Sequence, residues 1–118
     1  MSSREAGGRV VVAVVPDLMD RSRLASAGDE VVVVGLGQLA ATVAARVAEG
    51  GVDLVVVDLA RPGALEAAVA LDVPVIGFAP HVDDELLAQA RAVGVQAVPR
   101  SQFFRRWPAV GPGTGAGS

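Results

Sequence analysis

The sequence predicts a doubly wound α/β domain on a parallel sheet. Short Val-rich runs alternate with helical patterns five times, which is the signature of βα units. The runs are nearly continuous in apolar residues rather than alternating with polar ones, as expected for strands covered on both faces. Glycines stand at the helix ends, where the chain must turn back.

The elements follow in order. Arg9–Val15 reads as the first strand. Asp17–Ala27 is a short helix with Leu18, Met19 and Leu24 as apolar positions, stopped by Gly28. Glu30–Val34 is the second strand. Gln38–Glu49 is a helix in which Leu39, Val43 and Val47 recur every fourth residue, ended by Gly50-Gly51. Asp53–Asp58 is the third strand, Gly63–Leu71 a short helix and Pro74–Phe78 the fourth strand. Asp83 is expected to cap a helix reaching Val93, with Asp84 and Glu85 in its first turn and Arg91 in its last, as the helix dipole favours. Gly94 stops it, and Val95–Val98 is the fifth strand. Ser101–Trp107 gives one or two helical turns. Residues 1–8 are expected to be a flexible N-terminus, residues 9–107 the domain, and the Gly-, Pro- and Ala-rich residues 108–118 a disordered tail. Right-handed crossovers leave two strand orders open, the flavodoxin-like 2-1-3-4-5 and the Rossmann-like 3-2-1-4.

Composition bounds the function. The 118 residues suffice for one domain with one core, and apolar residues make up 52% against 3% aromatic, so that core is aliphatic. There is no Cys and one His, which excludes a disulfide, a thiol nucleophile and a His/Cys metal site. All ten basic residues are Arg, so no step uses a lysine amine. The net charge of −3 is scattered and carries no nucleic-acid footprint. No apolar run approaches the ~18 residues of a membrane span, and the first eight residues lack the apolar core of a signal peptide, so a cytoplasmic location is expected.

In a doubly wound sheet the chemistry collects at the carboxyl ends of the strands. There this chain brings Pro16 and Asp17, Gly35 to Gly37, Asp58, Ala79-Pro80-His81, and Arg100-Ser101. Asp58 closes the run Val55-Val56-Val57 and is followed at once by the turn signal Arg61-Pro62-Gly63.

The order and spacing over residues 9–104 resemble a response-regulator receiver domain. Leu54 to Leu59 with the following Pro-Gly turn resembles the strand and loop around the receiver's phosphorylated Asp. Val73-Pro74-Val75-Ile76 resembles its fourth strand, and Asp83 to Val95 its fourth helix and the turn into the last strand. The resemblance implies the order 2-1-3-4-5, Asp58 as phosphoacceptor, magnesium held by Asp17 and Asp58, and a place in two-component signalling or a phosphorelay. The departures fall on the chemistry. Receivers carry two adjacent acids after the first strand, where this chain has Pro16-Asp17, with Asp20 one helical turn on. They carry Ser or Thr after the fourth strand, where this chain has Ala79. They carry Lys after the fifth, where Arg100 and Ser101 stand. A hard cation favours several oxygen ligands, so Asp17 and Asp58 alone are expected to hold magnesium weakly. Phosphorylation of Asp58 is expected to be slow or absent, with Arg100 the only basic residue near the anion. More loosely, Asp17-Leu18-Met19, Gly77 to Asp83 and Pro99 to Phe103 are similar to a group of degenerate bacterial receiver-like domains of unestablished role.

Plainer roles compete at each position. Asp58 alternatively serves as a solvated strand-end carboxylate, Asp17 as a helix N-terminal residue satisfying free N–H groups, and His81 as a solvated loop residue rather than a pH-sensitive group.

Two further functions stay open. Gly35-Leu36-Gly37-Gln38-Leu39-Ala40 matches G-x-G-x-x-G/A after a strand, with the acidic Asp58 about 20 residues on. In a small Rossmann-type NAD-sensing domain Gly35 makes the tight turn, Gly37 admits the pyrophosphate, Ala40 lets helix approach strand, and Asp58 binds the ribose. Against this, an entire strand and helix precede the glycine strand. A discriminating feature is strand order, because a central first strand with Glu30–Val34 at the edge favours the receiver-like arrangement. The other function is a pure protein-interaction module. Phe103, Phe104 and Trp107 cluster late in the chain on a helix too short to bury all three, and an exposed aromatic group suits a contact with another protein or a second copy. No G-x-S-x-G elbow or other hydrolase motif is present, and enzymatic activity is not expected.

Overall fold

The structure, a computed structural model, describes residues 9–26 and 28–108. The flexible N-terminus and most of the disordered tail expected from the sequence lie outside the described residues. Within them the chain runs β1 (Val10–Val14), α1 (Leu18–Ala25), β2 (Glu30–Val33), α2 (Leu39–Glu49), β3 (Leu54–Asp58), α3 (Ala64–Val69), β4 (Val75–Ala79), α4 (Asp84–Ala92), β5 (Gln96–Pro99) and α5 (Arg100–Arg106). A 3₁₀ turn, Leu36–Gln38, leads into α2. Each expected element is present, with ends displaced by a residue or two.

The sheet is parallel throughout, in the order β2-β1-β3-β4-β5. This is the flavodoxin-like arrangement. The second strand lies at an edge and the first is flanked on both sides. Of the two orders that the alternation allowed, the Rossmann-like one is not adopted.

Strand alternation divides the core into two layers. On one face Val11, Ala13, Val15, Leu54, Val56, Ile76 and Phe78 meet Leu24 of α1 and Phe103 of α5. On the other, Val12, Val14, Val55, Val57, Ala79 and Ala97 meet Leu39 and Val43 of α2, Ala64 and Ala68 of α3, and Leu87 and Ala90 of α4. The second layer is almost entirely Val, Leu and Ala. The aromatic residues collect in the first, where the Phe78 ring lies 5.2 Å from Phe103 and 5.3 Å from Phe104.

One close approach is special. A Cβ at Gly77 of β4 would stand 2.6 Å from Cγ and Cδ1 of Leu59. The missing side chain is the socket that receives Leu59, the residue after Asp58, and so pins the start of the β3–α3 loop.

The amino ends of the strands are held by acids. Asp29 accepts from the Arg9 backbone N–H at 2.8 Å and from its guanidinium at 3.1 Å, and Asp53 accepts from Val10 N–H at 2.8 Å. The open edge at β5 is blunted. Arg91 Nε donates to the Ala97 carbonyl at 2.9 Å, so that carbonyl faces away from β4. Pro99, two residues on and therefore on the same side, has no N–H to offer a further strand.

One local expectation is corrected. Asp83 stands at the N-cap position of α4, but its φ/ψ of −94°/57° is not that of an extended cap and its side chain makes no capping bond. The Asp83 carbonyl accepts from Leu87 N–H at 3.2 Å, the ordinary first bond of the helix.

Candidate functional site

In this strand order the connections diverge between β1 and β3, and the crevice beyond their carboxyl ends is where such sheets bind ligands. Asp17 follows β1 and Asp58 ends β3, so the two stand on either side of that crevice. Ala79 and His81 come from the β4 side, and Arg100 from β5.

Asp58 is held by a compact loop. Its Oδ1 accepts from Ala60 N–H at 3.0 Å, and its own carbonyl accepts from Arg61 N–H at 3.3 Å. Arg61-Pro62-Gly63-Ala64 is then a reverse turn closed by Ala64 N–H to Arg61 O at 3.0 Å, with Gly63 at φ +81° and ψ −2°. Pro before a left-handed Gly is the composition of a type II turn, so the Pro-Gly signal read from the sequence has a direct backbone cause. The Asp58 carboxyl is half-buried, and its pKa lies above the ordinary 3.8. Desolvation is the largest cause, the Ala60 hydrogen bond opposes it, the nearby Asp20 charge adds to it, and the fields of Arg100 and Arg61 oppose it.

Asp17 is the N-cap of α1. Its Oδ1 accepts from Met19 N–H at 2.8 Å and Asp20 N–H at 3.1 Å, with the extended backbone a cap requires. The capping role weighed for Asp17 from the sequence is therefore present.

The group that sequence reasoning did not foresee is the pair Asp20–Arg100. Asp20 is 1% exposed, a charged residue buried in the core. Arg100 Nε donates to its Oδ2 at 3.1 Å and Nη2 to its Oδ1 at 2.5 Å, a two-pronged clasp between residues eighty apart in sequence. That hydrogen bonding raises the Arg100 pKa above its already high ordinary value, with desolvation opposing and the Asp20, Asp17 and Asp58 charges adding. Arg100 thus spends both prongs on Asp20 and reaches Asp58 only through its field. The sequence carries little signal for it: Asp20 lies one turn before the buried Leu24, but Leu18 and Met19 of the same helix are exposed, so the apolar residues of α1 mark no single stripe.

Part of the carboxylate set around the crevice is already engaged. Asp20 is occupied by Arg100, and one oxygen each of Asp17 and Asp58 is engaged with backbone amides. Among the described residues no group of three acidic or His side chains is placed to hold a metal ion. The β4 end presents Ala79, buried and without a hydroxyl, and His81 is exposed.

The glycine turn lies elsewhere. Gly35 and Gly37 follow the edge strand β2, and β1 stands between β2 and the strand that carries Asp58. Ala40, Gly35 and Gly37 are exposed, a Cβ at either glycine would meet nothing within 4 Å, and α2 starts only after the 3₁₀ turn. The structure does not bring Asp58 to the strand neighbouring these glycines.

Apolar side chains rim the carboxyl edge. Leu18 and Met19 beside β1 and Val82 beyond β4 are 73%, 68% and 78% exposed. On the α1–α5 face Phe103 is fully buried, while Phe104 and Trp107 are half-buried against the core. Trp107 Nε1 donates to Leu24 O at 3.2 Å, tying α5 to α1.

No helix among the described residues is long and apolar enough to cross a membrane. No protein-family model, no curated protein and no solved structure matches the chain.

Proposed function

We infer that this chain is a receiver-like regulatory domain that acts by contact with another protein, and that Asp58 accepts a phosphoryl group slowly or not at all. The observation that carries the reading is the Asp20–Arg100 clasp beside Asp58. Transfer of a phosphoryl group needs cations and donors aimed at its oxygens. Here the one cation from the β5 end is committed to Asp20, and Ala79 offers no hydroxyl. Magnesium, if taken up between Asp17 and Asp58, is held weakly for want of oxygens. Two-component signalling or a phosphorelay is the setting this reading implies. The exposed Leu18, Met19 and Val82 at the carboxyl edge support a role in contact, since large apolar side chains gain from being covered.

The order of the sheet supports this reading over the NAD-sensing one, which wants the glycine strand in the centre and Asp58 on its neighbour. The test is incubation with acetyl phosphate and magnesium, read by intact mass, with NADH titrated in parallel. Little or no mass gain and no saturable NADH binding are expected. A rapid, stoichiometric gain of one phosphoryl group, abolished in Asp58→Ala, overturns the reading. Saturable NADH binding, weakened by Asp58→Ala, promotes the alternative.

A further inference from the structure

The strongest unassigned feature lies on the α1–α5 face, next to the Asp58 crevice, with which it shares Arg100. A shallow groove of about 610 Å³ runs between the end of α1 and α5, walled by Phe104 and Trp107 and lined by Arg23, Arg100, Arg105 and Ser101. Three guanidinium groups thus meet in one groove of a chain whose net charge is −3, so the basic character is local. Arg100 is neutralised by Asp20. Arg23 and Arg105 are exposed and meet no carboxylate among the described residues. Arg23 and Arg100 both lie over the Phe104 ring, at 5.5 and 5.6 Å from its centroid. That stacking holds the cations beside an apolar surface before any ligand arrives.

We propose that this groove docks an acidic segment of a partner protein, one that carries an apolar side chain beside its carboxylates. The carboxylates pair with Arg23 and Arg105, and the apolar side chain covers the exposed parts of Phe104 and Trp107. Such a mixture of aromatic residues and Arg is typical of the energetic centre of an interface. Other occupants fit less well. Residues 109–118 contain no acidic side chain, so the chain's own C-terminal segment offers the arginines no carboxylate side chain. A nucleic-acid strand would need a basic track extending beyond the groove, whereas the crevice neighbouring Arg100 holds Asp17 and Asp58.

The inference rests on the protein-contact part of the function proposed above and names the partner's chemistry. It is tested on the full chain by fluorescence anisotropy, with a labelled peptide of glutamates interspersed with leucines and a lysine–leucine peptide as control. The emission of Trp107, the only Trp, is followed in the same titration. Saturable binding of the glutamate peptide alone is expected, weakening with salt and shifting the Trp107 emission. Arg23→Glu with Arg105→Glu should weaken it by about tenfold or more, as removal of complementary charges does, and the milder Arg23→Gln with Arg105→Gln should weaken it less while melting as wild type. Equal binding of the lysine peptide, binding unaffected by either arginine variant, or preferential binding of an oligothymidylate overturns the proposal. So does dimerisation in sedimentation that is lost in the arginine variants, which assigns the groove to a second copy. The two readings fail separately. Rapid phosphorylation of Asp58 sinks the functional reading without touching the groove, and a groove that ignores the glutamate peptide sinks the groove alone.

Discussion

Arg100→Ala is the most informative single perturbation, because it leaves the Asp20 carboxylate in the core without its cation. The Asp20 side chain is 2% exposed and that of Arg100 is 42% exposed. Breaking a fully buried pair by removing one partner costs about 3–5 kcal/mol. Here water already reaches the guanidinium and will enter part of the space it leaves, so the cost is discounted to about 2–3 kcal/mol. At about 4–8 °C per kcal/mol for a domain of this size, the melting temperature should fall by roughly 10–20 °C. Arg100→Lys keeps a charge but loses the two-pronged geometry and should lose about 1 kcal/mol. The double variant Asp20→Leu with Arg100→Met removes both charges and should recover most of the loss, because a paired ion and a packed apolar pair are close in stability. Urea unfolding followed by circular dichroism reads all four proteins. An Arg100→Ala midpoint equal to wild type at unchanged slope would refute the reasoning, since the clasp would then be a surface contact of no consequence.

Gly77→Ala should destabilise the fold by about 1–3 kcal/mol, because its Cβ overlaps the buried Leu59 side chain at 2.6 Å. Thermal melting checks this, a rise in melting temperature would contradict it, and Leu59→Ala in the same chain should remove the clash and show strong coupling. Asp58→Asn keeps an acceptor for Ala60 N–H but removes the half-buried charge. The raised pKa means that the protonated acid is favoured in the folded state, so its stabilising contribution is complete below 3.8 and is lost as pH rises through the folded value. Melting curves of wild type and Asp58→Asn should therefore converge at strongly acidic pH and separate at neutral pH with the variant more stable; equal separation at all pH would show that Asp58 charge is not the cause. Asp17→Ala should cost about 1 kcal/mol through loss of the α1 cap, with Asp17→Ser restoring most of it. Denaturant titration resolves the two, and an identical loss in both variants would argue against capping.

Local pattern determined the elements of this protein. The Val runs, the spacing of Leu39 and Val43, and the glycines at helix ends act within a few residues of themselves, so β1 to α5 could be read with ends in error by only a residue or two. The Arg61-Pro62-Gly63 turn and the Asp17 cap were legible for the same reason. Alternation of strand and helix narrowed the sheet to two orders but could not choose, because crossover handedness is satisfied by both. Asp83 makes no side-chain cap because residue type marks a favourable position without setting the backbone angles that make the bond.

The tertiary structure decided the pairings between distant residues. It placed β1 between β2 and β3, which put Asp58 beside the strand leading to Asp17 and kept it away from the Gly35–Gly37 turn. It joined Asp20 to Arg100 across eighty residues, turning a spare acid and a candidate anion partner into a single closed pair. It set Phe103 inside and left Phe104 and Trp107 half-buried against the same Phe78-centred core, with Arg23 and Arg100 over Phe104. Such contacts arise from how layers pack, and side chains far apart in the chain carry no periodic signal of one another. Burial of Asp20 beside Leu24 was decided in the same way, and a buried carboxylate requires a cation that only the folded chain can supply.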